Sequence, residues 1–237
     1  MPSDLNISAI NSLTAMNEWM ATINGNINGS ARTAYKTSKV KFSGAGSNGE
    51  IPDSTLITDS TSIDFSQGSI VASTERNHLA IQGPGFFRIN DKSDGSGQTY
   101  YTRDGEFHFD TAGHLVTSSG AYLTDQLGNE VTVNPADRDD FNLATGHGLN
   151  VASVQLVNFN NPQDLEFSSG ATVFETTSAP SGFISANNVS YYSLEGSNSS
   201  LTQSIPELSL SQKIFSALAK VIMVAQQNTD TVVNLIK

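Results

Sequence analysis

At 237 residues, with 37% apolar and 15% charged side chains, the chain can bury one good core or two small ones, and having no cysteine it excludes a disulfide framework, a thiol nucleophile or a thiolate metal site. A net charge of −11 argues against nucleic-acid binding, and no uninterrupted apolar run reaches the ~18 residues of a membrane span. No basic start followed by an apolar core opens the chain, so no cleaved secretory signal is expected.

The first predicted element is a helix. Ile10, Leu13, Met16, Met20, Ile23 and Ile27 recur in alternating steps of three and four, the heptad spacing that turns one seam toward a neighbouring helix. A short basic run follows, Arg32, Lys36, Lys39 and Lys41, and reads as a solvated or helix-end cluster.

Strand signals then come at short spacing. LAIQGPGFFRI, 79–89, reads as two apolar strands joined through Gly83-Pro84-Gly85, with Pro84 and Gly85 at the central positions of a type II turn. In YYTRDGEFHFD, Asp104-Gly105 is a tight-turn signal, after which Phe107 and Phe109 face the core and Glu106, His108 and Asp110 face water. Ala112-Gly113, Ser119-Gly120 and Leu127-Gly128-Asn129 each turn the chain into a further strand. Strands resume at 151–159, 165–167 and 173–175. No βαβ alternation occurs, which excludes a nucleotide-binding α/β fold.

The last element is a second helix. Ser204 with Pro206 and Glu207 reads as an N-cap followed by a first-turn proline and a capping-box acid. The stripe is Ile205, Leu208, Phe215, Leu218, Ile222, Ala225, Val232 and Ile236, interrupted by Gln212 and Thr229. Such a helix is about 45–50 Å long at 1.5 Å per residue, more than one small β domain covers. The expected fold is mainly β. An antiparallel sandwich or barrel-like central domain (43–195) is flanked by N- and C-terminal α-helical segments (1–42 and 196–237) forming a coiled-coil-like assembly domain. The plainer alternative is a helix pair packed on the body of a monomer.

Charge supports assembly through the ends. Residues 1–50 and 201–237 each carry one net positive charge, which leaves −13 on residues 51–200. Near-neutral ends pack copy on copy with little repulsion while acidic bodies stay apart. No catalytic or cofactor constellation is visible. His78, His108, His114 and His147 lack ligand spacing, His108 between Glu106 and Asp110 reads as a polar outer row, and Asp137, Asp139 and Asp140 lack a calcium-loop pattern. No enzyme activity, metal or cofactor is expected.

The motifs in order resemble the bacterial flagellar rod and hook proteins. The stretch 65–133 carries Q-G with small polar residues (Gln67-Gly68), the L-A-I strand, G-x-G-F-F (Gly83, Gly85, Phe86, Phe87), Y-T-R-D-G-x-F (Tyr101, Thr102, Arg103, Asp104, Gly105, Phe107) and G-x-L-V. The ends match less closely. Asn26-Ile27-Asn28 through Thr33-Ala34-Tyr35-Lys36 resembles N-N-I-A-N-x-x-T-x-G-[FY]-K with Ala34 in place of glycine, LEGSNSSL at 194–201 resembles L-E-G-S-N-V, and Gln212–Phe215 stands where Q-R-A-Y is expected. Pro206 departs from the pattern and implies a later or bent last helix.

The resemblance implies a helically stacked homo-oligomer in the basal body, exported without a cleaved signal by the flagellar type III apparatus, contacting other rod or hook subunits and ring proteins. Its length and the 153–177 segment resemble a distal or proximal rod protein, whereas 57–70 resembles a hook segment. The alternatives are a short hook-like subunit and, from another class, a secreted trimeric adhesin or glycan-binding β module.

Overall fold

The structure is a computed structural model and describes residues 2–44, 56–168 and 172–235. The chain forms two compact units: Met1–Ser30, Thr37–Asp64 and Ser199–Lys237 make a helical unit, and Ala31–Lys36 with Phe65–Asn198 make a β unit. This division differs from a cut near 42 and 196. The strands at 38–63 go with the helices, and the short segment 31–36 goes with the β unit.

In the helical unit, α1 (Pro2–Gly29) and α2 (Leu201–Leu235) pack on one another and α1 also carries an antiparallel ribbon, β1 (Ser38–Gly44) with β2 (Leu56–Ile63). Asn26 explains why the ribbon belongs here. Its amide donates to the Ser38 carbonyl at 2.8 Å and accepts from the Ser38 N–H at 2.9 Å, as a paired strand residue would. Ser199 donates to the Asn26 carbonyl at 2.8 Å, so the same residue receives the segment entering α2. Trp19 meets Phe42 edge to face at 5.6 Å, and Glu18 accepts from Thr58.

The seam of α1 is rotated from the expected one, whereas that of α2 follows the expected stripe from Leu208 to Ala225. On α1 the inward row is Ala9, Ser12, Met16, Trp19, Ile23 and Asn26; Leu13, Met20 and Ile27 sit half-buried beside it, and Ile10 is 54% exposed. On α2 the inward row is Ser204, Leu208, Ser211, Phe215, Leu218, Ile222 and Ala225, again in steps of four and three. Small residues explain the shift: Ala9, Ser12, Ser204 and Ser211 are buried where larger groups would hold the helices apart. The two stripes therefore lie largely against each other inside one chain. Ile236 and the side chain of Val232 fall outside the described residues.

The start of α2 also differs. Helix begins at Leu201, the Ser200 carbonyl accepts from Gln203 and Ser204, and Pro206 lies inside the helix. Ser204 is thus a buried helical position and not the cap. Pro206 removes one i→i−4 bond, to the Thr202 carbonyl, within the second turn.

In the β unit a seven-stranded antiparallel sheet holds β5 (Phe87–Asn90), β6 (Thr99–Thr102), β7 (Phe107–Phe109), β8 (Leu115–Thr117), β9 (Tyr122–Leu123), β11 (Glu166–Phe167) and β12 (Val173–Glu175). Its order is β11-β12-β6-β5-β9-β8-β7. Three two-stranded ribbons complete the unit: β3 (Ile70–Ala72) with β15 (Ser193–Glu195), β4 (Leu79–Ile81) with β14 (Val189–Tyr191), and β10 (Gln155–Asn158) with β13 (Gly182–Ser185). The core gathers Leu79, Ile81, Phe87, Ile89, Phe107, Leu115, Leu123, Phe141 and Leu156, all almost fully buried.

Local turn chemistry is met at Gly113 and Gly120, with positive φ between successive strands, and at Gly128, with positive φ in the turn after β9; the strand expected at 130–133 is reduced to single bridges at Glu130, Thr132 and Val133. Neither the turn at Gly83–Gly85 nor the one at Asp104-Gly105 joins strands that pair with each other. β4 pairs with β14 and not with β5, so Gly83-Pro84-Gly85 joins strands that do not pair with each other. β6 lies between β12 and β5 while β7 is the far edge of the sheet, and Gly105 is not among the glycines with positive φ. Asp104-Gly105 is a crossover and not a two-residue hairpin turn.

Candidate functional site: a buried carboxylate that gathers distant segments

Glu195, at the end of β15, is fully buried and is held from three directions. Lys36 Nζ reaches Oε1 at 2.6 Å, the Gly68 N–H donates to Oε1 at 2.9 Å, and Arg103 Nε reaches Oε2 at 2.9 Å. Each cation has further acceptors: Lys36 donates to the Ser66 carbonyl at 2.8 Å, and Arg103 donates to Gly83 O at 2.8 Å, Gly85 O at 3.1 Å and Ile81 O at 3.4 Å. The backbone closes the set, because Ala34 N–H donates to Glu195 O at 2.7 Å. Lys36 is accordingly no solvated end of a basic run; its side chain has no exposure. Of that run, Arg32, Lys39 and Lys41 are exposed, and Lys39 pairs with Asp64 at 2.8 Å.

One side of this centre is aromatic. Alternation along the strand entry sends Phe86 toward it and Phe87 into the main core, where Phe87 meets Phe107 at 5.2 Å. Phe86 lies 5.7 Å from Phe65, 5.9 Å from Phe159 and 6.0 Å from Phe174, with Arg103 5.8 Å from its ring. Tyr101 adds to the layer through Phe159 at 4.9 Å, and Tyr35 stacks on Phe167 at 6.3 Å. The motif residues Gly83, Gly85, Phe86, Tyr101 and Arg103 are thereby brought together with Lys36 and Glu195, which a reading of the motifs one at a time does not pair. The signal was present in the recurrence of a lone acid in LEGSN and a lone lysine in TAYK.

Ala34 has φ +53, the left-handed region. A glycine sits there without strain, whereas an alanine costs roughly 1–2 kcal/mol. Ala34 is fully buried, so Ala34→Gly loses a packed methyl as it relieves the backbone. The expected outcome is a stability change within about 1 kcal/mol, while β-branched Ala34→Val costs about 3 kcal/mol or more. Urea melts of the two variants check this.

Next to the centre, Thr102 and Asp104 fasten the crossover. The Thr102 hydroxyl donates to Thr172 O at 2.7 Å and accepts from Asp104 N–H at 2.9 Å, and Asp104 accepts from the Glu106 N–H at 3.1 Å. Burial, reinforced by the Glu106 charge and only partly opposed by hydrogen bonds, pushes the Asp104 carboxyl up from 3.8 to about 6. A raised folded-state value means the native chain binds the proton more tightly than the unfolded chain. Stability from this group is therefore full below about pH 4, falls as pH rises toward 6 and is level above, at up to about 1.4 kcal/mol per pH unit. Asp104→Asn keeps the acceptor for Glu106 N–H and is expected to flatten that slope and raise the melting temperature at pH 7.

Outside the inward row, α2 keeps apolar groups in water: Leu201, Ile205, Leu210, Val221, Met223 and Val224 are all about half exposed or more. Helix Leu201–Asn228 is also long and apolar enough, by length and composition, to cross a membrane, because serines and glutamines interrupt the apolar run without lowering its average far. Among the described residues no three histidines or carboxylates converge as a metal site; His114 instead lies between Asp110 at 2.5 Å and Glu130 at 3.5 Å.

The chain thus combines an antiparallel β unit organised around a buried ion centre with apolar helices drawn from both of its ends. Comparison with known proteins is specific. Residues 80–159 match the family described as flagellar hook protein FlgE/F/G D1 domain. The chain is 30% identical over 176 residues to the flagellar basal-body rod protein FlgG of Bacillus subtilis, covering 66% of this chain and 64% of that one. It is 33% identical over 122 residues to FlgG of Buchnera aphidicola, covering 48% and 45%, and 31% identical over 156 residues to the flagellar hook protein FlgE of Brucella melitensis, covering 65% and 35%. The chain thus spans between about a third and two thirds of these relatives. Residues 80–159 thus match the flagellar FlgE/F/G D1 domain, and over up to two thirds of its length the chain is similar to flagellar rod and hook proteins.

Proposed function

We propose that the chain is a subunit of the flagellar axial structure that stacks helically with its own copies into the basal-body rod and transmits torque. The observation that carries this reading is the convergence of the family motifs on one buried carboxylate in the β unit, in a chain whose helices still expose apolar side chains. The exposed face of α2, with the outer members Ile10, Leu13, Met20 and Ile27 of α1, is the surface assigned to assembly, and burying it offsets the cost of ordering the ends. A rod is preferred to a hook because the Bacillus rod protein is matched over 64% of its length and the Brucella hook protein over 35% of its own. Export without a cleaved signal, and contact with ring proteins, belong to the same proposal.

The experiment is electron microscopy of basal bodies from cells with and without this chain. Loss of everything beyond a defined rod level is expected. A complete rod lacking only the hook would favour the hook-like subunit, and an unaltered flagellum would overturn the reading. Val221→Asp with Val224→Asp, both on the exposed face of α2, is expected to abolish polymerisation and motility while leaving the monomer folded. Partition of the purified chain into lipid vesicles in preference to polymer would assign α2 to a bilayer instead.

A further inference from the structure

We infer that the ribbon β3–β15, centred on Val71 and Tyr192, is a contact between β units of successive copies, separate from any contact made by the helices; the inference rests on the axial-subunit reading above. β3 is paired on one side only, by β15. All three of its residues, Ile70, Val71 and Ala72, are exposed, and Val71 at 57% lies directly across from Leu194, so the two share a face. A strand edge of this kind offers outward N–H and C=O groups along with apolar side chains.

Tyr192 is the second observation. It has φ +52, a conformation that a bulky residue adopts only where its surroundings impose it, yet its ring is 41% exposed. The surroundings are visible: Tyr192 O accepts from Ser73 N–H at 2.7 Å, and the Arg76 guanidinium, held by the Phe141 carbonyl at 2.8 Å, lies 5.7 Å from the ring. The β unit therefore holds an aromatic side chain in a fixed position at the ribbon without burying it. Tyrosine and arginine are the residue types that dominate contact energies when a partner covers them.

Charge selects a second copy as that partner. Residues 51–200 carry −13, but 65–74 and 176–194 contain no charged residue at all. Two acidic bodies approach with least repulsion where each presents an uncharged surface. The ribbon lies within those two stretches except for Glu195, which is fully buried.

The test uses the purified full chain, with polymerisation followed by sedimentation and monomer melting by circular dichroism. Val71→Asp and Tyr192→Gly are each expected to leave the monomer melting temperature within about two degrees, since one side chain is exposed and glycine suits φ +52. Each is expected to raise the critical concentration at least tenfold, with Val71→Ile close to wild type. Unchanged polymerisation by Val71→Asp overturns the inference and leaves the axial reading standing, as does a large fall in melting temperature for Tyr192→Gly, which would make the ring structural. A wild-type chain that stays monomeric at every concentration overturns the copy-to-copy contact, and the basal-body microscopy then judges the axial reading on its own.

Discussion

Glu195→Gln is expected to destabilise the β unit by about 3–5 kcal/mol, enough to unfold a domain of ordinary stability at room temperature or slightly above. The carboxylate sits between two buried cations, Lys36 at 2.6 Å and Arg103 at 2.9 Å, so its neutralisation leaves two positive charges without an anion in a fully buried site. Lys36→Met is the informative contrast. It leaves Glu195 and Arg103 as a balanced pair, keeps a side chain of similar length against Tyr35 and the aromatic layer, and forfeits one bond to the Ser66 carbonyl. A loss of about 1–2 kcal/mol is expected there. Arg103→Met falls between, because the remaining pair is balanced but the carbonyls of Gly83, Gly85 and Ile81 lose their donor. Urea titrations by far-UV circular dichroism give the order Glu195→Gln, then Arg103→Met, then Lys36→Met. Added salt should not change that order, since none of the three groups meets solvent appreciably. A Lys36→Met variant less stable than Glu195→Gln would show that the lysine, and not the carboxylate, organises the site.

Much of the β unit was legible because it is written in local chemistry. Gly113, Gly120 and Gly128 take the positive φ that their turns require, and the strands between them follow directly. Pairing partners were not legible. The turns at Gly83–Gly85 and Asp104-Gly105 show where strands end, yet β4 is paired by β14, more than a hundred residues on, and period-two patterning says nothing about which strand fills the other side. Helix periodicity was legible, and its phase on α1 was not. Met16 and Ile23 lie in both the expected and the observed seam, but burial of Ser12, Ser204 and Ser211 turns the contact toward small residues that a hydrophobicity pattern passes over. The ion centre was hidden for a third reason. A charge read in isolation is cheapest on the surface, and only the fold shows Lys36 facing an acid 159 positions away. What the resemblance contributed was the list of motif residues, and the structure supplies the physical reason that they occur together.

Gly105→Ala is the second substitution with a large expected effect, and its cause is not the backbone dihedral that a glycine after an aspartate suggests. The Leu79 N–H donates to Gly105 O at 2.9 Å, which brings the entry of β4 against the crossover between β6 and β7. A Cβ on residue 105 would stand 1.6 Å from the Leu79 carbonyl oxygen and 2.6 Å from its carbon, both backbone atoms that no rotamer change can move. Relief requires the two segments to separate by more than 1 Å, and both carry the core. Leu79 and Phe107 are fully buried, and Asn77 holds the Phe107 carbonyl from the same side. Shifting them opens space around two large apolar side chains while adding only one methyl, so a loss of about 3 kcal/mol or more is expected. Hydrogen exchange separates this from a general weakening: the Leu79 amide should lose protection first, ahead of the amides of β5 and β9 at the centre of the sheet. If Gly105→Ala instead melted within a degree of wild type, the approach of residue 105 to Leu79 would have to be looser than the structure shows, and the crossover would revert to the simple turn read from its sequence.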